Sequence, residues 1–296
     1  MSLLAQQVPD FACVTILVVE NDVEPAAQAL VERMALQSPF ACHYVQEISP
    51  GVSNARNRAL DEALVIGCDW LAFIDDDEVA EPSWLECLLR VAYQFRAEVV
   101  RGPVVYCFPA ADRWAHLRDS SDKQRLRPEG QPIYEGATNN VLIAARLFAA
   151  DGLALRFELA LNFTGGEDKL FFMQAFQAGV TAVLSPGAVV QETVPLSRCS
   201  LRMLYRDKAR LAANSIRIPR DFMGVAPDFF RDTGALVKEL RHVFKALLKS
   251  LRCSLRKDDS SRRYFLQAVL GIARVHGTVL GMLGKRIEGY RQVQGN

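Results

Sequence analysis

The sequence predicts an α/β fold: a mostly parallel sheet flanked by helices, with a helical extension at its C-terminal end. Three observations carry the prediction. Short apolar runs end abruptly in polar or acidic residues, most sharply at 70–74, where Trp-Leu-Ala-Phe-Ile gives way to Asp75, Asp76, Asp77 and Glu78. Such a run has the length and composition of a buried strand, and open α/β sheets place their ligands at strand carboxyl ends. Between these runs lie helix-like segments opened by turn residues, and the last hundred residues are helical in period throughout.

The elements follow in order. Residues 12–19, Ala-Cys-Val-Thr-Ile-Leu-Val-Val, form a buried strand that ends at Glu20, Asn21 and Asp22. Pro50 and Gly51 make a turn, and a helix capped by Ser53 or Asn54 runs to about Ile66. Arg56 and Arg58 stand near that helix start, where a diphosphate can be held. The strand at 70–74 and a strand-like segment at 99–107 follow. The region 104–135 is less regular, and the polar run 119–123 reads as a flexible loop able to act as a lid or acceptor wall. Within it, Trp114 suits either the core or a sugar ring. Thr164-Gly165-Gly166-Glu167-Asp168 opens an apolar helix, and 181–190 supplies the closing strands.

Four adjacent carboxylates repel one another and are poorly suited to burial. At the end of a strand they suggest a site for a hard divalent cation, Mg²⁺ or Mn²⁺, because every ligand offered is an oxygen. Gly165 and Gly166 let the backbone approach a ligand closely, and Glu167 and Asp168 sit at a helix start, where the dipole favours their ionised forms. An ionised carboxylate at a cleft is what a general base requires.

Five segments occur in one order: 18–22, Val-Val-Glu-Asn-Asp; 51–57, Gly-Val-Ser-Asn-Ala-Arg-Asn; 73–77, Phe-Ile-Asp-Asp-Asp; 136–140, Gly-Ala-Thr-Asn-Asn; and 166–168, Gly-Glu-Asp. Together they resemble the inverting, nucleotide-sugar-dependent glycosyltransferases of family 2, which have the GT-A fold, and in particular succinoglycan-type members that build polysaccharides. The resemblance covers about residues 1–195. It implies that Glu20 and Asp22 touch the nucleoside, and that Asp75, Asp76 and Asp77 bind the nucleotide with Mn²⁺ or Mg²⁺. Asp77 is then the more direct metal ligand, with Asp75 beside it. It further implies that Asp168, paired with Glu167, deprotonates the acceptor hydroxyl, and that Thr138 and Asn140 line the donor-sugar pocket. The chain departs from the family in having Leu170 where many relatives carry another acid. Judged against the family's pattern it begins about 25 residues late and lacks the first strand, so an earlier native start is expected. A truncated inactive pseudoenzyme that binds membranes or partners, a metal-dependent nucleotidyltransferase and a haloacid-dehalogenase-type phosphatase are the alternatives. The phosphatase's acids normally follow the first strand and lead into Thr or Val, which Val79 fits loosely, but Gly165-Gly166-Glu167-Asp168 has no place in it; no lysine-bearing phosphate loop favours the nucleotidyltransferase.

Half of the 296 residues are hydrophobic, enough for one large core plus an appendage. The division expected is a catalytic domain at 1–195 and a basic amphipathic helical extension at 196–296. Seven scattered cysteines without a Cys-x-x-Cys pair read as buried thiols in a reducing cytoplasm. His116 and His276 read as ordinary residues. A net charge of +1 conceals an asymmetry: 201–296 holds 20 Lys and Arg against 8 Asp and Glu, which leaves 15 against 26 before it. The basic tail lacks the aromatic spacing of a nucleic-acid platform, so an anionic membrane surface is the expected partner. In 233–252, Leu236, Val237, Leu240, Val243, Phe244, Leu247, Leu248 and Leu251 share one helix face, and Lys238, Arg241, Lys245, Lys249 and Arg252 the other. After the polar break at 257–261, residues 264–283 are long enough to cross a bilayer. Arg274 at their middle costs about 2.5–3.5 kcal/mol on insertion scales, so a second amphipathic segment or a helix hairpin is expected instead. The expected partners are a nucleotide-sugar donor and a lipid-linked saccharide acceptor, at the inner face of the cell membrane.

Overall fold

The structure is a computed structural model that describes residues 1–114, 125–134, 136–225, 229–256 and 260–287. His116, the polar run 119–123 and the break at 257–259 therefore lie outside the described residues. The chain divides into two compact units, one of residues 1–107, 119–162 and 167–193, the other of 108–118, 163–166 and 194–296.

In the first unit the elements are β1 (Thr15–Glu20), α1 (Gln28–Ala35), β2 (Ala41–Gln46), α2 (Val52–Ile66), β3 (Trp70–Phe73), β4 (Glu78–Ala80), α3 (Trp84–Phe95), β5 (Val99–Arg101), β6 (Val104–Cys107), β7 (Val141–Ala144), α4 (Glu167–Gln177), β8 (Ala182–Leu184) and β9 (Val190–Thr193). Residues 2–5 form a 3₁₀ turn. The α/β class matches the expectation, but the mostly parallel sheet does not. The described strands form three hydrogen-bonded groups, β1-β2, β3-β7-β5-β8 and β4-β9-β6. The pairs β1-β2, β5-β8 and β6-β9 are parallel, and β3-β7, β5-β7 and β4-β9 antiparallel. Strand β7 is the physical cause: it runs against both neighbours, so it reverses the direction at the middle of its group. In this pairing β1 and β3 each have a hydrogen-bonded partner on one edge.

Alternation along the central strands produces two cores. Val100, Leu142 and Val183 face one way and pack with Leu85, Leu88, Val91 and Ala92 of α3. Val99, Val141, Ile143 and Ala182 face the other way and pack with Leu60 and Ala63 of α2 and with Phe171, Phe172 and Ala175 of α4. A strand buried on both faces has no polar positions to alternate, which is why its sequence reads as a continuous apolar run. Strand β3 ends where Asp75 begins a turn, closed by the Glu78 N–H donating to the Asp75 carbonyl at 3.2 Å. Asp76 and Asp77 are exposed as their repulsion requires, but Glu78, the fourth acid, is 7% exposed and starts β4.

The second unit is built on α5 (Leu201–Met223), α6 (Phe229–Leu255) and α7 (Ser260–Met282). Ser200 caps α5, its hydroxyl accepting the Met203 N–H, and Gly224 ends it in the left-handed region. Helix α7 packs against both others because glycines let it come close. A Cβ on Gly277 would lie 2.0 Å from the Ala209 carbonyl oxygen, and one on Gly271 would lie 2.5 Å from Val243. The expected hairpin is therefore present as α6 and α7. By length and composition α7 is the one described helix suited to crossing a membrane, but Arg274 at its middle pairs with Glu239 of α6. Trp114 belongs to this unit, half-buried, with its ring tilted against that of Phe265 at 6.3 Å. The cysteines are all free, and only Cys199 is buried; Cys13 and Cys107 are exposed, contrary to the expectation of buried thiols. His276 makes an ordinary contact, Nδ1 lying 3.1 Å from the Tyr205 hydroxyl.

Candidate functional site

The polar end of β1 is tied into the fold. The Glu20 carboxylate accepts the Ala27 N–H through both oxygens, at 3.0 and 3.1 Å, and the Tyr44 hydroxyl at 2.5 Å. Its hydrogen bond pushes the Tyr44 phenol up to about 12. Both Glu20 oxygens thus serve the chain's own donors, which gives this residue a structural role at the strand end. Asn21 links the strand end to the turn before α2: its amide donates to the carbonyls of Glu47 and Ser49, and its oxygen accepts the Gly51 N–H at 2.8 Å. Asp22 is exposed at the tip; its carboxylate accepts the Val23 N–H at 2.6 Å and its carbonyl accepts the Gln46 amide at 3.0 Å. Of the three, Asp22 is the one open to a ligand.

Helix α2 is capped from far along the chain. Gly51, at φ 126°, is its N-cap and makes no side-chain cap bond. Instead the Asn162 side-chain oxygen accepts the N–H groups of Ser53 at 2.8 Å and Asn54 at 3.3 Å. Ser53 is fully buried and its hydroxyl donates to the Glu158 carbonyl, so neither Ser53 nor Asn54 caps the helix as expected. A Cβ on Gly51 would come within 2.4 Å of Asn162, which explains the glycine there. One turn into α2, Arg56 reaches Glu167, the first residue of α4, in a close ion pair, and lies 5.7 Å above the Phe157 ring. Arg58 instead pairs along its own helix with Glu62 at 2.7 Å.

Around Arg56 the acids collect. Glu167 is 4% exposed, and one of its carboxylate oxygens has no partner. Burial pushes it upward while Arg56 pulls it back. Asp168 is half-buried and accepts the Lys169 N–H at 2.6 Å. Asp75 is open by residue surface, yet protein packed around its carboxyl raises it; Arg56 opposes this and Asp77, Asp76 and Asp168 add to it. Asp75, Asp168, Glu167 and Arg56 therefore share one electrostatic neighbourhood. Glu78 buttresses the turn, accepting the Asp75 N–H at 3.0 Å, and burial pushes its carboxyl up to about 7. The expected catalytic pair divides: Glu167 is buried against Arg56, and Asp168 keeps access.

Before α4, the turn containing Gly165 (φ 70°) and Gly166 (φ 94°) belongs to the helical unit. There Asn214, 3% exposed, donates to the carbonyls of Thr164 at 3.2 Å and Gly165 at 2.8 Å. Asn140 departs from its expected place in the sugar pocket. It is fully buried at φ 63°, its amide donates to the Pro103 and Ala188 carbonyls, and its oxygen accepts the Trp84 indole N–H at 2.7 Å. Those bonds use both amide hydrogens, so Asn140 acts as a polar joint inside the core. Thr138 is likewise 2% exposed. Its neighbour Asn139 does reach the acidic turn, its amide 3.5 Å from Glu78. Sequence reasoning missed Asn162 and Phe157, neither of which carries a local signal, and gave Asn139 no role although it lies in the 136–140 segment.

Among the described residues no three His, Cys, Asp or Glu side chains gather into a ready metal cage. The donor set nevertheless fits a hard cation, since Mg²⁺ commonly takes one or two carboxylates and completes its shell with substrate phosphates and water. Asp75 and Asp77, on the turn after β3, are carboxylates of the kind such a cation would use.

A relative from Rhizobium meliloti (strain 1021), succinoglycan biosynthesis protein ExoM, is 40% identical over 210 residues, which are 71% of this chain and 66% of that protein. A crystal structure of S. aureus TarS aligns with a TM-score of 0.45 at 18% identity, covering 72% of this chain and 36% of TarS. The profile of Glycosyl transferase family 2 matches residues 2–160, more than half of the chain. On that match the chain belongs to glycosyl transferase family 2.

Proposed function

We propose that this protein transfers a sugar, with inversion, from a nucleotide-sugar donor to a lipid-linked saccharide acceptor in exopolysaccharide biosynthesis. The gathering of Asp75, Asp168 and the Arg56–Glu167 pair at the end of β3 and the start of α4 is the observation that carries the reading. The family and the similarity to a succinoglycan biosynthesis protein support it.

In this reading the acceptor hydroxyl oxygen attacks the anomeric carbon as the bond to the donor's diphosphate oxygen breaks. Asp168 takes the hydroxyl proton, because it is the accessible carboxylate of the pair. A single displacement inverts the anomeric configuration. Asp77 and Asp75 would hold Mg²⁺ or Mn²⁺, which when bound offsets the charge of the leaving diphosphate. Glu167 and Arg56 hold the start of α4 against α2, which sets where Asp168 points. Asp22, exposed at the end of β1, is placed to meet the nucleoside.

The second part of the reading is location: attachment to the inner face of the cell membrane through the helical extension. Leu240, Phe244, Leu247, Leu248 and Leu251 of α6 are 38–63% exposed, an apolar stripe that water disfavours, beside a basic face.

The test is a transfer assay with UDP-, GDP- and dTDP-sugars, Mn²⁺ or Mg²⁺, and lipid extracts as acceptor. Asp168→Asn should lower transfer by about 10²–10⁴ while nucleotide binding persists, since an amide cannot accept the proton. Near-normal turnover of Asp168→Asn at saturating acceptor would refute the assignment.

A further inference from the structure

Within the helical unit, α5, α6 and α7 enclose a cavity of about 310 Å³. Its polar lining comes from all three helices: Lys208 and Ser215 of α5, Glu239 of α6, and Arg274 and Thr278 of α7. The charges do not balance. Arg274 holds the Glu239 carboxylate through two nitrogens, Nε at 2.7 Å and a closer Nη2. That pairing satisfies one cation. Lys208 remains a second positive charge in the same space; burial, with Arg274 next, presses its ammonium below the usual lysine range, and Glu239, already shared with Arg274, only partly opposes this. A half-buried ammonium repelled by a neighbouring guanidinium is stabilised by any anion that enters. The hydroxyls of Ser215 and Thr278 line the same cavity and add hydrogen-bonding partners.

What lies beside the cavity selects the class of anion. Leu236 lines it, and from Leu236 the exposed apolar stripe of α6 continues through Leu240, Phe244, Leu247 and Leu251 at three- and four-residue steps. Leu211 of α5, also on the lining, is 55% exposed. A small inorganic anion would use the charge and leave this apolar surface in water. A molecule with an anionic head and an apolar tail would use both.

We propose that the cavity is a binding site for the phosphate of an anionic amphiphile, with its head between Lys208 and Arg274 and its apolar part along α6. The proposal adds a specific headgroup site to the membrane attachment proposed above and rests on that reading only for the setting. Diffuse attraction through Lys238, Lys245 and Lys249 would not by itself be saturable or headgroup-selective.

The experiment uses the full chain and monomeric short-chain lipids, so that vesicle attachment is not required. Titration calorimetry with dihexanoylphosphatidylglycerol should show saturable binding, with dihexanoylphosphatidylcholine and inorganic phosphate at least tenfold weaker. Lys208→Gln should weaken binding tenfold or more, Lys208→Arg should restore it, and the triple variant Lys238→Gln/Lys245→Gln/Lys249→Gln should leave it within twofold. Circular dichroism melting verifies that each variant is folded, and Lys208→Met serves as a second variant that keeps the side-chain length. No saturable binding by the wild-type protein, equal binding by Lys208→Gln, or equal binding of the zwitterionic lipid would overturn the site. Inorganic phosphate binding as tightly as the lipid would overturn the amphiphile. Vesicle sedimentation lost in the triple variant, with short-chain binding kept, would support the site apart from the attachment; sedimentation unaffected by the triple variant would count against the attachment alone.

Discussion

Removing Arg56 tests the structure most directly, because it isolates a charge that the fold buries. Glu167 is 4% exposed, one of its oxygens already lacks a partner, and Arg56 is its ion-pair partner. In Arg56→Ala the carboxylate must either remain charged without compensation or take up a proton. Breaking a buried pair by deleting one partner costs about 3–5 kcal/mol, a large part of the roughly 5–15 kcal/mol that holds a domain folded. The pH dependence follows from the same burial. Burial already raises the native Glu167 carboxyl, and loss of Arg56, which pulls it down, raises it further. A carboxyl with a native pKa above its unfolded one binds more protons in the native state. Its stability deficit is therefore absent below the unfolded pKa and grows as pH rises through the native one. Urea unfolding of Arg56→Ala followed by far-ultraviolet circular dichroism should show a midpoint well below wild type at pH 8 and a smaller gap at pH 5. Glu167→Gln in the Arg56→Ala background should recover part of the loss, and a double-mutant cycle should give a clear coupling energy. Equal midpoints for Arg56→Ala and wild type at pH 8, or a gap that widens toward low pH, would refute the argument.

Asn162→Ala should destabilise the protein by about 0.5–2 kcal/mol in urea unfolding, the usual loss for a helix N-cap, because the N–H groups of Ser53 and Asn54 lose their acceptor. Asn140→Leu should cost more than Asn139→Leu in the same measurement, since it orphans the Trp84 indole N–H and two buried carbonyls at about 1–3 kcal/mol per unsatisfied group. Gly51→Ala should be destabilised by both its left-handed φ and the contact with Asn162, and Gly51→Ala/Asn162→Gly should relieve only the contact. Sedimentation of the full chain with anionic vesicles should fall as salt is raised from 0.05 to about 0.5 M, the range over which exposed charges are progressively screened. Binding that does not change with salt would refute the electrostatic part of the attachment.

What could be read from the sequence was whatever repeats locally. The apolar run before Asp75 marked β3 and its acidic end, the pair Glu167-Asp168 after two glycines marked the start of α4, and steps of three and four residues marked α6. Each signal lies within one element, because a strand exposes its period in five residues and a helix in eight. The tertiary structure decided which of those residues stay accessible and which are buried against a partner. Arg56 and Glu167 are 111 residues apart, Ser53 and its cap Asn162 are 109 apart, and Trp84 and Asn140 are 56 apart. A carboxylate or an amide has the same letter whether it meets a ligand or a buried neighbour. Its role depends on what the fold brings within hydrogen-bonding distance and how much water the fold removes, and neither has a local period. The reversal of β7 and the unbalanced charge among Lys208, Glu239 and Arg274 were settled in the same way, by elements meeting in space.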